Sequence, residues 1–164
     1  MNTFTITRTI DAPLETVWAI LDDFGNIADW SPGVRRSALT TDGPVGEGTT
    51  RHCDFAPMGG VNERITHHEP LSRMTVHLYE TFKMPVTDAV ADFKLEATET
   101  GTRVVLDVEY RPNRVGRLAK SVTDGQMRKG MGGLVDDLAQ ESIRRVAPVE
   151  ASATNKKGAT DAAA

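Results

Sequence analysis

A single cysteine, Cys53, stands in 164 residues, which excludes an internal disulfide and any metal site built from clustered cysteines. No apolar run approaches the roughly 20 residues that a membrane-spanning helix needs. The N-terminus lacks the basic-then-apolar pattern of a secretory signal, so a cytoplasmic protein is expected. Positive charge is not in excess either. The 19 basic and 23 acidic residues give a net charge of −4, and the basic residues are scattered, so nucleic acid is not an expected partner. Of the four histidines, His67 and His68 are adjacent and point to opposite faces of a strand. His52 and His77 fall on separate strands with no evident acidic third ligand, and no metal is expected. Phosphate loops, dinucleotide fingerprints and serine-nucleophile elbows are missing, and no cofactor is expected.

What is present reads as one globular domain. With 39% hydrophobic and 26% charged residues, the chain has the composition of an ordinary soluble protein large enough for one proper core. That domain is expected to span residues 1–147. The remainder, 148–164, has no apolar periodicity and ends in alanines, and a disordered tail is expected there.

Phe4, Ile6, Arg8 and Ile10 alternate with threonines, the period-two pattern of a half-buried strand. Arg8 is the odd member of that face, either snorkelling at a sheet edge or projecting inward as the partner of an anion. Asp11, Ala12 and Pro13 then open a helix whose buried stripe is Leu14, Val17, Trp18 and Leu21. A second short helix runs through Ile27 to Trp30 and stops at Ser31, Pro32 and Gly33. Six strand-like runs follow, at 34–41, 48–55, 61–68, 73–82, 86–98 and 102–110. No helix separates them, so they are expected to form an antiparallel meander, because parallel pairing would need long crossovers. Seven strands with helices on one side make an α+β fold.

The last element is the longest. From Asn113 to Val146 a helical pattern carries Met127, Met131, Leu134, Leu138, Ser142 and Val146 at spacings of three and four. Gly125, Gly130, Gly132 and Gly133 lie within nine residues of this helix, and each costs about 1 kcal/mol relative to alanine. Two readings account for them. In one, Thr123 to Gly125 break the helix in two and the later glycines let its backbone lie close to strands; in the other, small residues beside two methionines leave space for a ligand.

The run Ile10, Asp11, Ala12, Pro13, followed by Val17, Trp18 and then Asp29 to Gly33, resembles the opening of SRPBCC or START-like proteins, in particular the polyketide cyclase/dehydrase group. Val45 to Thr49, Glu63 to Ile65, Glu69 and Pro70, Gly101 to Val104, and Tyr110 to Pro112 agree with it in order. The resemblance covers about residues 3 to 146, nearly all of the expected domain. It implies the helix-grip fold, a curved sheet that holds the C-terminal helix and encloses a cavity for an apolar ligand. The family's ligands range over lipids, sterols, polyketides and aromatic compounds.

Alternation then suggests what faces such a cavity. Val61, Glu63, Ile65 and His67 share one face of their strand. A buried carboxyl and an imidazole there could exchange protons with a bound ketone or hydroxyl. The other reading is that Glu63 pairs with Arg8 or another basic group and that His67 faces solvent. Ala89, Ala91 and Phe93 form an apolar wall, the alanines leaving room opposite the helix, and Tyr110 adds a polar tip. Arg8, Trp30, Met127 and Met131 complete the candidate lining. The expected partner is a small apolar ligand, bound or carried. A polyketide cyclase or dehydratase using Glu63 and His67 is the alternative, and a protein-interaction module follows if large side chains fill the interior. The oligomeric state is not legible.

Overall fold

A computed structural model describes the backbone of residues 1–154 and the side chains of residues 1–147. Threonines alternating with larger side chains form β1, Asn2–Ile10. Helix α1, Leu14–Asp22, buries Val17, Trp18, Ile20 and Leu21, and a 3-10 turn, Phe24–Asp29, buries Phe24 and Ile27. The remaining strands are β2 (Val34–Leu39), β3 (Thr50–Phe55), β4 (Gly60–Glu69), β5 (Arg73–Phe82), β6 (Val86–Thr98) and β7 (Gly101–Pro112). All seven join one antiparallel sheet in the order β1-β7-β6-β5-β4-β3-β2. Six consecutive strands make the expected meander. β1 closes on β7, so α1 and the 3-10 turn carry the chain from one edge of the sheet to the other. Register shifts in the β2–β3, β4–β5 and β6–β7 pairings add the local twist by which a long sheet bends around a helix.

The C-terminal helix is interrupted, though not where the glycines suggested. A short helix α2, Arg114–Leu118, ends at Ala119 (φ −110°, ψ 44°), and α3, Lys120–Thr154, then runs unbroken through Gly125 to Gly133. The break is held by Gly116. A Cβ there would meet the Pro85 carbonyl oxygen at 2.1 Å, and the Thr123 hydroxyl donates to the Gly116 carbonyl. The four glycines of α3 are different. An added Cβ would meet nothing within 4 Å at Gly125, Gly130 or Gly133, and only Ile6 at 3.9 Å from Gly132. Close approach of the helix backbone to strands therefore does not explain them. The first residues of the expected tail continue α3 as far as Thr154, and residues 155–164 lie outside the described residues.

Three polar links fix α3 across the sheet. The Tyr110 hydroxyl donates to Asp124, which also accepts from Asn2. Arg8 donates to Asp136 at 2.9 Å, and Ser31 donates to Asp137 at 2.8 Å. Between them Met127, Val135 and Leu138 turn into a core shared with Ile10, Val17, Ile20, Ile65, Met74, Val104 and Leu106.

Candidate functional site

Between the concave face of the sheet and the glycine-rich half of α3 lies a cavity of about 410 Å³. Met127, Gly130, Met131 and Leu134 supply the helix side. Ile27, Val34, Cys53, Phe55 and Leu78 supply apolar wall, and Met58, Lys83, Met84 and Pro85 stand on the β3–β4 and β5–β6 loops. A smaller space of about 40 Å³ continues inward past Phe24, Trp30, Met74, Val76, Ala91 and Phe93. The two share Ile27, Arg51, Glu63, Leu78, Met131 and Leu134, so they adjoin as two parts of one hollow, with the Arg51–Glu63 pair in the wall of both.

That pair is the buried ion pair of a mostly apolar space, whose other polar lining is Ser31, Lys83 and Gln126 in the larger part and Asp23 in the smaller. Arg51 and Glu63 are direct neighbours in the β3–β4 register, and alternation turns both inward with Cys53 and Val61. The Arg51 Nε donates to Glu63 Oε2 at 2.5 Å, and the two side chains are each 9% exposed. Nη1 donates to the Phe24 carbonyl at 2.6 Å, and the guanidinium lies 3.9 Å from the centroid of the Phe24 ring. The Cys53 thiol donates to the same carboxylate oxygen at 3.5 Å. Burial first, and then the Glu63 charge, push that thiol up to about 12, so it stays protonated and is no thiolate nucleophile. Charges this far from water require partners on every side. Among the described residues, Nη2 of Arg51 and Oε1 of Glu63 make no hydrogen bond, and both residues border the cavity. The Trp30 indole N–H, on the inner space, is buried and also has no partner.

The structure brings Glu63, Trp30, Ala91, Phe93, Met127 and Met131 to this hollow. It does not bring His67, Arg8, Ala89 or Tyr110. β4 carries one extra residue, Thr66, between the Ile65–Val76 and His67–Thr75 pairs, and one such insertion swaps the faces of everything beyond it. His67 consequently stands outside, 42% exposed, 3.5 Å from Glu47 and 3.8 Å from Glu69. His68 takes the inward direction instead. Its Nε2 lies 2.6 Å from Asp22 Oδ1, and its ring lies 5.4 Å from that of Trp18, away from the cavity. Arg8 is exposed and occupied by Asp136, so it neither enters the cavity nor neutralises Glu63. Ala89 is buried in the core. Tyr110 is buried too, and its hydroxyl is committed to Asp124; burial, followed by that hydrogen bond, raises its pKa.

Arg51 and Cys53 escaped the sequence reading. The signal for them was the alternation of Arg51, Cys53 and Phe55 in a strand that must pair with the one bearing Glu63. A cation on an inward face opposite an inward carboxylate is a buried ion pair, but only the register shows that the two meet.

The sequence matches the family model for polyketide cyclase / dehydrase and lipid transport over residues 1–141. Among solved structures, the chain is similar to the Zhui aromatase/cyclase from Streptomyces sp. R1128, with 17% identity over 88% of this chain and 95% of that one and a TM-score of 0.77. It is also similar to the XoxI protein from Bacillus cereus, with 20% identity over 87% of this chain and 96% of that one at 0.72. A protein from Thermus thermophilus is 18% identical over 88% of this chain and 99% of that one at 0.74. At these identities the structural likeness shows the helix-grip fold and nothing finer. A search of curated proteins finds no match. The family model spans both the sheet and the glycine-rich half of α3 that enclose the cavity, and the chain belongs to the polyketide cyclase/dehydrase and lipid-transport family.

Proposed function

We propose that the protein binds, and carries, a small ligand that is apolar over most of its surface and bears one polar group, seated between the sheet and α3. The observation that supports this is the mostly apolar hollow bordered by a buried ion pair whose Nη2 and Oε1 make no hydrogen bond among the described residues. An apolar body matches the methionine, leucine and phenylalanine walls. A carbonyl or carboxylate oxygen matches Nη2, and a hydroxyl matches Oε1. A volume of about 410 Å³ lies in the range of small-molecule pockets. It also counts against a role in protein contacts alone, which was tied to an interior filled by large side chains.

Cyclase or dehydratase chemistry is the second reading, favoured by the free Oε1 of Glu63. Carriage is preferred because, among the described residues, Glu63 is bonded only to the Arg51 guanidinium and the Cys53 thiol, while Lys83 and Asp23 stand elsewhere in the wall. His67 is elsewhere, the Cys53 thiol is held neutral, and Oε2 of Glu63 is already engaged by the Arg51 guanidinium.

The test uses an apolar fluorescent probe with wild-type protein and Met131→Trp. Met131 borders both parts of the hollow, so the added ring fills ligand space. Probe binding is expected at micromolar level in the wild type and is lost in a folded Met131→Trp variant; unchanged affinity in that variant overturns the assignment. Conversion of a polyketide-like substrate that falls by roughly two to four orders of magnitude in Glu63→Gln, with binding retained, establishes the enzymatic reading instead.

A further inference from the structure

One end of the molecule, beside Met84 and Pro85 of the cavity wall, combines basic and exposed aliphatic side chains. Residues 111–122 contain Arg111, Arg114, Arg117 and Lys120 and no acid, in a chain whose net charge is −4. These four cations line a cleft of about 530 Å³ with no carboxylate in its wall. Lys120 pairs with Asp124, whereas the three arginines have no ion-pair partner among the described residues. The same two helices expose Val115, Leu118 and Val122, with Leu118 at 91%.

This surface adjoins the cavity wall. The Asn113 side chain donates to the Met84 carbonyl at 2.9 Å, and the Asn113 backbone N–H donates to the Pro85 carbonyl at 3.0 Å. Met84 and Pro85 border the cavity. On the far side of that loop, a Cβ at Gly59 would stand 3.0 Å from the Phe82 carbonyl oxygen, so the β3–β4 and β5–β6 loops touch. Their exposed apolar residues, Met58 and Phe82, extend the same end.

Arginines free of carboxylates and aliphatic side chains left in water, on one short helical segment, select for one kind of partner. An acidic protein or nucleic acid would satisfy the arginines and leave Leu118 and Val122 wet. A neutral apolar partner would cover the aliphatics and strand the arginines. We propose that this face docks on an anionic lipid surface, with Arg111, Arg114 and Arg117 at the phosphate level and Val115, Leu118 and Val122 in the interfacial layer. Among the described residues no helix is long and apolar enough to cross a membrane, so the attachment is peripheral. Docking brings the Met84–Pro85 wall of the cavity to the bilayer side.

Flotation of the full chain with phosphatidylcholine vesicles, with and without phosphatidylglycerol at roughly a third of the lipid, tests this. Binding is expected to the anionic vesicles only and to fall as salt is raised. Arg114→Gln with Arg117→Gln is expected to weaken it roughly thirty-fold, and Leu118→Gln roughly ten-fold, with melting temperatures unchanged because these side chains are exposed. Met131→Trp leaves vesicle binding intact, which separates docking from the cavity assignment. Absence of binding to anionic vesicles overturns the proposal, as does indifference to the paired arginine changes. Binding undiminished in Leu118→Gln also overturns it, since charge alone would then hold the protein and the occupant would be an acidic macromolecule.

Discussion

Between Gly125 and Gly133, α3 contains four glycines and borders open space with Met127 and Met131. From Val135 to Ser142 it contains none, and Val135, Leu138 and Ser142 are sealed in the core. One helix thus has a packed half that anchors it and an underfilled half that leaves a hollow. The helix is unbroken across both halves, and of the four glycines Gly130 is the one that lines the cavity, beside Met127 and Met131. The packed half compensates for the poor helix propensity of the other, because tertiary burial outweighs propensity when a long amphipathic helix is clamped at one end. Even the polar groups divide this way. In the packed half, the Ser142 hydroxyl is spent on the Leu138 carbonyl, whereas on the cavity side the Trp30 indole N–H is buried without a partner and, among the described residues, Arg51 Nη2 and Glu63 Oε1 make no hydrogen bond.

The strongest way to break this contrast is at the ion pair. Arg51→Met leaves the Glu63 carboxylate buried without its cation and is expected to cost about 3–5 kcal/mol in denaturant unfolding. A loss below about 1 kcal/mol would mean that water or the cavity opening already solvates Glu63. Next comes a paired test on the two halves of α3. Leu138→Ala is expected to cost about 2–5 kcal/mol by opening a void in packed core, while Gly130→Ala is expected to stabilise by up to about 1 kcal/mol, since its new methyl meets nothing within 4 Å. If Gly130→Ala destabilised instead, the space beside Met131 would be filled and the contrast between the halves would vanish.

The smallest effect lies on the outer face of the packed half. Hydrogen bonds from Arg144, offset in part by burial and joined by Arg145, hold the Glu141 carboxyl down at about 2, against an ordinary 4.5. A depressed folded-state pKa stabilises above the unfolded value and loses that contribution as pH falls through the folded one. Wild type is therefore expected to exceed Glu141→Gln by ~0.5–1 kcal/mol at neutral pH, as befits exposed pairs three and four residues apart. That gap should shrink below about pH 4.5 and close near pH 2. A gap constant over that range in melts of the two proteins would show that Glu141 acts through something other than its charge.

Local chemistry made much of this protein legible. Threonines alternating with Phe4, Ile6 and Ile10, turn residues between closely spaced strand runs, and the three-and-four spacing of Met127, Met131, Leu134 and Leu138 each state a periodicity, and periodicity is a property of neighbours in the chain. The inward direction of Glu63 was readable for the same reason. Its partner was not. Arg8 and Arg51 are both cations on strands, and only the pairing of β3 with β4 placed Arg51 against the carboxylate while the position of α3 gave Arg8 to Asp136. His67 shows the limit most sharply, because a single inserted residue in β4 reversed the faces beyond Ile65, and a bulge is fixed by the curvature that the whole sheet needs. The glycines of α3 were visible from the start as an anomaly, but that Gly130 alone of the four would border the cavity depended on where the sheet lay. The sequence by itself therefore determined the elements, their order and the polarity of each face. Register, bulges and the distance between helix and sheet decided which side chains met around the hollow, because those are set by packing among residues far apart in the chain.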